Sequence, residues 1–569
     1  SDDSTLIVET GWAGSVLAGG VIELNRTAEA ESRSTAEVGG GVRDENEAVL
    51  LEVIARRLQG IADSMGEVLR RTAVSVNVKE RRDYSCAVFR RDGSLIANAP
   101  HVPVHLGAMG HTVRHLIEVF PEMSAGDCYL SNDPFSGGSH LPDITAVTPV
   151  FCDREAGRGR PDFFVASRAH HAEIGGRTPG SMPPDATCLA EEGVLIRDVA
   201  WVRHGVHDEH ELRTLLQSGR YPSRNAAENL ADLAAQRAAG EDGVRSLVEM
   251  ARTYSVAQID HYMQRILEVA GDTAQSWIRT LRSEPMSFTD ALDDGTPISV
   301  TLTRSQDRLR IDFTGTAPVH PFGFNATPAI VTAAVLYVVR MVSGSNLPLC
   351  DGALRDIELV IPRGLLNPPP HDDPADCAAV VAGNVETSPR VVDVLLGALG
   401  VAAASQGTMN NVLIGDETFG FYETIGGGAG ATSDHDGADA VHTHMTNTRI
   451  TDPEVMESRL PLRVRRFAIR RGSGGTGQRR GGDGIVREFE FLKPLTLSLI
   501  SGRRRRPPYG AAGGEPGAVG VNTLFEAGEC ESLPWAITRH VEAAARLRIE
   551  TPGGGGWGRP APRARRDRS

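Results

Sequence analysis

Between Glu80 and Asp185 the chain gathers its densest set of side chains able to do chemistry. KERRD (79–83), HVPVH (101–105), NDPFSGGSHLPD (132–143) and SRAHHAEIGG (167–176) set histidines and carboxylates around short apolar runs. In NDPFSGGSHLPD, Asn-Asp-Pro opens a turn and Gly137-Gly138 frees the backbone, so His140 and Asp143 arrive just before the run ITAVTPVF. A second run, FFVASRA, leads directly into His170-His171. Two neighbouring strands ending in H-x-x-D and H-H would project imidazoles and a carboxylate onto one point. That mixed donor set suits Zn²⁺, Mn²⁺ or Fe²⁺ with positions open for water and substrate. A metal so held polarises a carbonyl group or lowers the pKa of bound water. The same spacing also serves a loop hydrogen-bond network, and a short H-x-x-D does not by itself separate the two readings. His101 and His105 read as structural, and His111 and His115 as a solvated or partly packed helix face.

A second polar cluster comprises SQGTMNN (405–411), YETIGGGAGA (422–431) and HTHMTNTRITDPEVME (442–457). His442 and His444 alternate as on a strand face, followed by Asn447 and Arg449. One reading is a substrate-binding wall in which Arg449 meets a carboxylate bidentately; the other is a turn-rich core with a buried polar network. In Asn384-Val385-Glu386-Thr387-Ser388, Thr387 or Ser388 is expected to cap a following helix. No G-x-x-x-x-G-K-[ST] phosphate loop occurs, and the glycine runs Gly426–Gly430 and Gly553–Gly556 lack the Lys-Ser/Thr that would make one. A nucleotide site is therefore not assigned to this chain. No G-x-S-x-G elbow occurs, and no cysteine has a convincing partner, so covalent catalysis is the weaker idea.

The elements that must position these residues follow from periodicity. Leu50, Ile54, Leu58, Ile61, Met65 and Leu69 recur at three- and four-residue steps and predict an amphipathic helix. From Asp83 to about Val202, short apolar runs alternate with Gly/Pro/His/Asp clusters and read as strands joined by polar loops. Residues 207–283 are helical in pattern. ISVTLTR and LRIDFTG read as antiparallel strands, Ala329–Val342 and Val391–Ala404 as buried helices, and Leu462–Ile549 as β-rich. Residues 1–24 look like two short strands around Gly-rich turns, 25–45 like a linker, and 559–569 like a basic disordered tail. A division of the main body near residue 285 is possible. The expected fold is α+β, with several mixed or antiparallel sheets and packed helices.

Composition narrows the function classes. With 569 residues and 40% hydrophobic content the chain can bury a sizeable core. A net charge of −14 argues against nucleic acid as the main partner. Seven dispersed cysteines without a C-x-x-C pair read as reduced thiols of a cytoplasmic protein. No run of about 18 apolar residues occurs, so neither a membrane-spanning helix nor a secretory leader is expected. The start at Ser-Asp-Asp, without Met, suggests a piece of something longer.

The runs VNVKERRDYSCAVF, APHVPVHLGAM, LSNDPFSGGSHLPDITAVTPVF and ASRAHHAEIGGRTPGSMPP strongly resemble the hydantoinase B family. The resemblance continues through AGNVETSPRVVDVLLGALG, SQGTMNN, ETIGGGAGA, HTHMTNTRITDPEVMESR, RRGSGGTGQRRGGDGIVRE and RLRIETPGGGGWG, covering about residues 46–558 in order. Residues 1–24 resemble the end of the companion, ATP-using hydantoinase A family, as in single-chain 5-oxoprolinases. This implies a two-stage reaction. The ATP half, with its Mg²⁺, phosphorylates the oxygen of a cyclic amide, and the half seen here delivers water and opens the ring with metal assistance. For 5-oxo-L-proline the product is L-glutamate. N-methylhydantoin hydrolysis, ATP-dependent ketone carboxylation and a non-catalytic scaffold for the ATP half are the alternatives. Carried onto this sequence, the resemblance implies His140, Asp143, His171 and Glu80 as ligands of a divalent metal. His170 replaces His171 if the strand faces the other way, since adjacent strand residues point oppositely. Asp133, with Glu80, is implied as a catalytic or ligand-orienting carboxylate. Asn447 and Arg449 are implied as substrate contacts, and a symmetric homo-oligomer is expected.

Overall fold

The computed structural model describes residues 12–16, 22–26, 41–99, 101–153, 158–344 and 349–560. Most of the segment read as a linker, and the basic tail beyond residue 560, lie outside them. The chain divides into two compact units, Ser1–Ile54 and Ala55–Ser569. In the first, Trp12–Val16 and Ile22–Arg26 pair antiparallel, two strands where two were expected. A helix spans Gly41–Thr72, beginning a few residues before the end of the segment read as linker. Within the second unit it buries Leu58, Ile61, Met65 and Leu69, the stripe that its periodicity predicted.

The apolar runs around the first polar cluster become one antiparallel seven-stranded sheet. Its centre is formed by Cys128–Ser131, Asp143–Val150, Phe163–His170 and Tyr84–Arg90, in that spatial order. Asp143–Val150 and Phe163–His170 are buried at every position, so both faces of the sheet are covered. Side chains alternate between the faces. Phe164, Ala166 and Val147 pack with Leu106, Met109, Val113 and Leu116 of the helix Pro103–Val119. Ile144, Ala146 and Leu130 pack with Leu230 and Leu233 of the helix Ala226–Tyr254 on the other face. Asp143 and His170 belong by parity to the first face.

Beyond this sheet, residues 207–283 form the helices Glu209–Leu216, Ala226–Tyr254 and Val256–Thr280. Pro297–Ser305 and Arg308–Asp312 pair antiparallel within a four-stranded mixed sheet. The helix Pro328–Ser343 carries proline in its first turn, where no amide partner is lost. The helix expected over 391–404 is Ser388–Leu399: Gly400 takes φ 66° and ends it in the left-handed conformation. A four-stranded and a five-stranded antiparallel sheet complete the C-terminal part. The fold is α+β. Among the described residues, no helix is long and apolar enough to cross a membrane.

The glycine runs have a packing role. Segments 426–430, 474–482 and 553–556 interleave backbone against backbone, with Gly428 N–H donating to Pro552 O (3.0 Å), Gly482 N–H to Ala429 O (2.9 Å) and Gly554 N–H to Gly482 O (2.9 Å). A Cβ on Gly554 would lie 1.9 Å from Ala429 O, and one on Gly428 1.9 Å from Gly482 O. Only glycine permits so close an approach, and the chain thereby satisfies buried amides without a regular sheet. Gly554→Ala is expected to lower folding stability by about 3 kcal/mol, because rigid backbone must separate to admit the methyl group. Thermal unfolding checks this; an unchanged melting temperature would show that the stack yields easily.

Candidate metal centre

Register decides which residues meet. Asp143 and His170 are direct cross-strand partners, so their side chains project together from the same face. The turn that precedes Asp143 folds back through Asp143 N–H to His140 O (3.0 Å) and brings the His140 ring over the pair. Three donor atoms result, with His140 Nε2 and His170 Nδ1 3.2 and 3.0 Å from Asp143 Oδ1 and 3.2 Å from each other. His140 and Asp143 are fully buried and His170 is 2% exposed.

The surrounding groups orient each donor. His140 Nδ1 lies 3.2 Å from the Val381 carbonyl oxygen, which can only accept, so Nδ1 is placed to donate there while Nε2 faces the other donors. Asp143 Oδ2 accepts from Ser139 Oγ at 2.5 Å and from Asn384 Nδ2 at 3.3 Å, and His105 Nε2 lies 3.2 Å away. Asn384 Nδ2 also donates to His140 Nε2 at 3.1 Å. The Tyr422 ring stacks on His170 with centroids 4.6 Å apart, and the Arg81 guanidinium lies over Tyr422 at 4.7 Å. Burial pushes the Asp143 acid upward, but His140 and His105 outweigh it and hold the carboxyl well below its ordinary range. Burial pushes His170 down, against the opposing pull of Asp143 and Asp83.

The donor set fits a divalent metal. Its atoms are two imidazole nitrogens and a carboxylate oxygen, at the mutual spacing of ligands that share an ion about 2.0–2.1 Å away. His170 Nε2 and Asn384 Oδ1 are buried without a hydrogen-bond partner. A buried ionised group with orphaned polar neighbours is costly unless a further partner is supplied. His140, Asp143 and His170 are the one metal-competent group among the described residues.

The remaining candidates lie elsewhere. His171 is a correction: it points to the opposite face, where its Nε2 meets Gln236 Oε1 and its Nδ1 meets Asn229 Nδ2, each at 3.2 Å. Strand alternation selects His170 instead. Glu80 is half-buried at the end of the short helix Val76–Lys79 and is absent from the ligand group. The Asp133 carboxylate is engaged by Phe135 N–H, Ser136 Oγ and Arg197 Nε. Asn447 and Arg449 are exposed, and Arg449 N–H donates to Arg81 O at 2.7 Å. Thr387 and Ser388 donate to Phe324 O and Asn384 O rather than capping the helix.

Three contributors escaped the sequence reading. His105, read as structural, reaches Asp143 from the first turn of its helix. Tyr422 and Asn384 come from far along the chain. Asn384 sits in a π-turn, Gly383–Thr387, a distortion that often marks functional positions. A Cβ at Gly383 would lie 1.9 Å from Asn325 O, so glycine lets the turn approach. Behind the site, Tyr422 Oη donates to Asn411 Oδ1 (2.9 Å), and Asn411 Nδ2 donates to Glu386 Oε1 (2.9 Å).

The family model described as hydantoinase B/oxoprolinase matches residues 47–560. Similar proteins include 5-oxoprolinase 1 of Arabidopsis thaliana, 43% identical over 90% of this chain and 42% of the relative. The 5-oxoprolinase of Dictyostelium discoideum is 41% identical over 92% of this chain and 41% of the relative. The chain thus spans less than half the length of these relatives. Among solved structures, the ATP-dependent caprolactamase from Pseudomonas jessenii superposes with a TM-score of 0.80 at 25% identity, covering 90% of this chain and 92% of that one.

Burial pushes Glu386 up to about 7, outweighing Thr408, the Gly502 amide, Arg390 and Arg504. An acid raised on folding contributes stability below its unfolded pKa and loses it as pH climbs through the folded value. The melting temperature is therefore expected to fall between about pH 5 and about pH 8, and Glu386→Gln to flatten that fall. An unchanged slope in Glu386→Gln would mean that the carboxyl does not titrate there.

Proposed function

The chain belongs to the hydantoinase B/oxoprolinase family, and on that footing we propose that it is the ring-opening half of an ATP-dependent cyclic-amide hydrolase. The substrate is 5-oxo-L-proline and the product L-glutamate. The observation that carries this reading is the enclosed triangle of His140, Asp143 and His170, with His140 Nδ1 against the Val381 carbonyl oxygen and orphaned polar atoms beside it. The names of similar proteins, two 5-oxoprolinases and a caprolactamase, support the substrate class.

A cyclic amide is a poor electrophile, because the nitrogen lone pair delocalises into the carbonyl group. Phosphorylation of its oxygen by a companion hydantoinase A-like half, fused or separate, converts that oxygen into a leaving group. A first water adds to the carbon and the C–N bond breaks, the ring nitrogen taking up a proton. A second water then displaces phosphate, with its C–O bond, from the resulting acyl phosphate, so that both carboxylate oxygens come from water. ATP and Mg²⁺ belong to the companion, which agrees with glycine runs that are consumed in backbone packing.

His140, Asp143 and His170 would hold a divalent metal, which supplies Lewis acidity and a bound water of lowered pKa. This chain's residues do the rest. Asp143 offsets positive charge, Asn384 presents a polar amide beside the centre, and His105 lies between Asp143 Oδ2 and Ser85 Oγ, positioned to hold a proton on Nε2. Tyr422 closes one side and excludes water around His170.

With the companion half present, 5-oxoproline-dependent glutamate formation is expected to fall at least about a hundredfold in His140→Ala and in Asp143→Asn, and bound metal to be lost. Activity within about twofold of the unsubstituted protein in both variants would remove these residues from the chemistry.

A further inference from the structure

Glu192 is fully buried, and its Oε2 has no hydrogen-bond partner. It follows the 3₁₀ turn Leu189–Glu191, which is fastened to a distant loop by Leu189 N–H to Cys377 O (3.0 Å) and Ala190 N–H to Pro374 O (3.1 Å). Its Oε1 accepts from two consecutive amides, Val380 N–H (2.8 Å) and Val381 N–H (2.9 Å). Of the next two amides, Ala382 N–H donates to Gly323 O (2.7 Å), and Gly383 N–H is shared between Val380 O (2.9 Å) and Gly323 O (3.2 Å). From outside itself the strap 380–383 is therefore held by two acceptors, Glu192 Oε1 and Gly323 O, and by no strand ladder.

That strap serves both nitrogens of one ring. The Val381 carbonyl oxygen accepts from His140 Nδ1, and the π-turn that continues the strap brings Asn384 Nδ2 to His140 Nε2. We infer that Glu192 is a positioning residue for the reaction: by clamping the Val380 and Val381 amides it places the carbonyl oxygen that keeps His140 protonated on Nδ1 and bare on Nε2. The alternative tautomer has a ready partner, because Asp143 Oδ1 lies 3.2 Å from His140 Nε2 and would accept a proton from it. Losing the Val381 acceptor tips the ring to that form and blocks the lone pair that ligation requires. Glu192's part in catalysis rests on the proposed role of His140 as a ligand; its hold on the tautomer does not.

Glutamine keeps an oxygen acceptor for both amides, and burial pushes the Glu192 acid up to about 8, so the neutral amide is a close substitute. Alanine strands two buried amides. In the full chain labelled with ¹⁵N-histidine, with His140→Gln identifying the resonance, His140 is expected to be Nδ1-protonated in the unsubstituted protein and in Glu192→Gln. In Glu192→Ala it is expected to shift towards the Nε2-protonated form. Glu192→Asp, which retracts the acceptor by one methylene, is read in the same way if the alanine variant does not fold. Titration with Mn²⁺ alone is expected to show affinity weakened about 10- to 100-fold in the alanine or aspartate variant and restored by glutamine. An unchanged tautomer overturns the role of Glu192. An unsubstituted protein that binds no Mn²⁺, while the tautomer still shifts in the variant, overturns the metal centre and supports the hold of Glu192 on His140.

Discussion

A carboxylate with no exposure must be compensated inside the protein, and Asp143 imposes that requirement on everything around it. Its two oxygens draw in His140, His170, His105, Ser139 and Asn384 from separate parts of the chain. The sheet register that sets His170 opposite Asp143, the turn that returns His140, the first turn of the helix carrying His105 and the π-turn carrying Asn384 all converge there. A one-residue slip between the two central strands would send His170 to the far face and dismantle the group.

The supports of the site act at a distance through backbone groups. Val381 contributes only a carbonyl oxygen, and Glu192 only an acceptor for two amides, yet together they select the tautomer of His140. The glycine stack follows the same economy, since interleaved backbones satisfy one another and form core without side chains. Rigid backbone packing of this kind suits a centre whose donors must be held to within a fraction of an ångström.

Much of the fold was legible because period-2 and period-3.6 patterns are local. The run FFVASRA, the helix after Pro328 and the stripe from Leu58 to Leu69 took their expected forms. His140 and Asp143 were legible as a pair because a single turn delivers both. The choice between His170 and His171 was not, since parity depends on pairing with a strand elsewhere. Asn384, Tyr422 and Glu192 gave no local signal of these roles: each acts through contacts with residues distant in sequence, and YETIGGGAGA was read as part of a second cluster rather than as a neighbour of His170. Glu80, read as a ligand, and Asp133, read as a catalytic or ligand-orienting carboxylate, stand outside the ligand triangle: Asp133 caps a turn and pairs with Arg197.

The most direct measurement of the central claim is an anomalous difference map from crystals of the chain grown with Mn²⁺. The account predicts one strong peak enclosed by His140, Asp143 and His170, with Asn384 beside it and His171 still turned towards Gln236. A map without density there, with His140 Nε2 still against Asp143, would contradict it. So would a peak ligated by other residues.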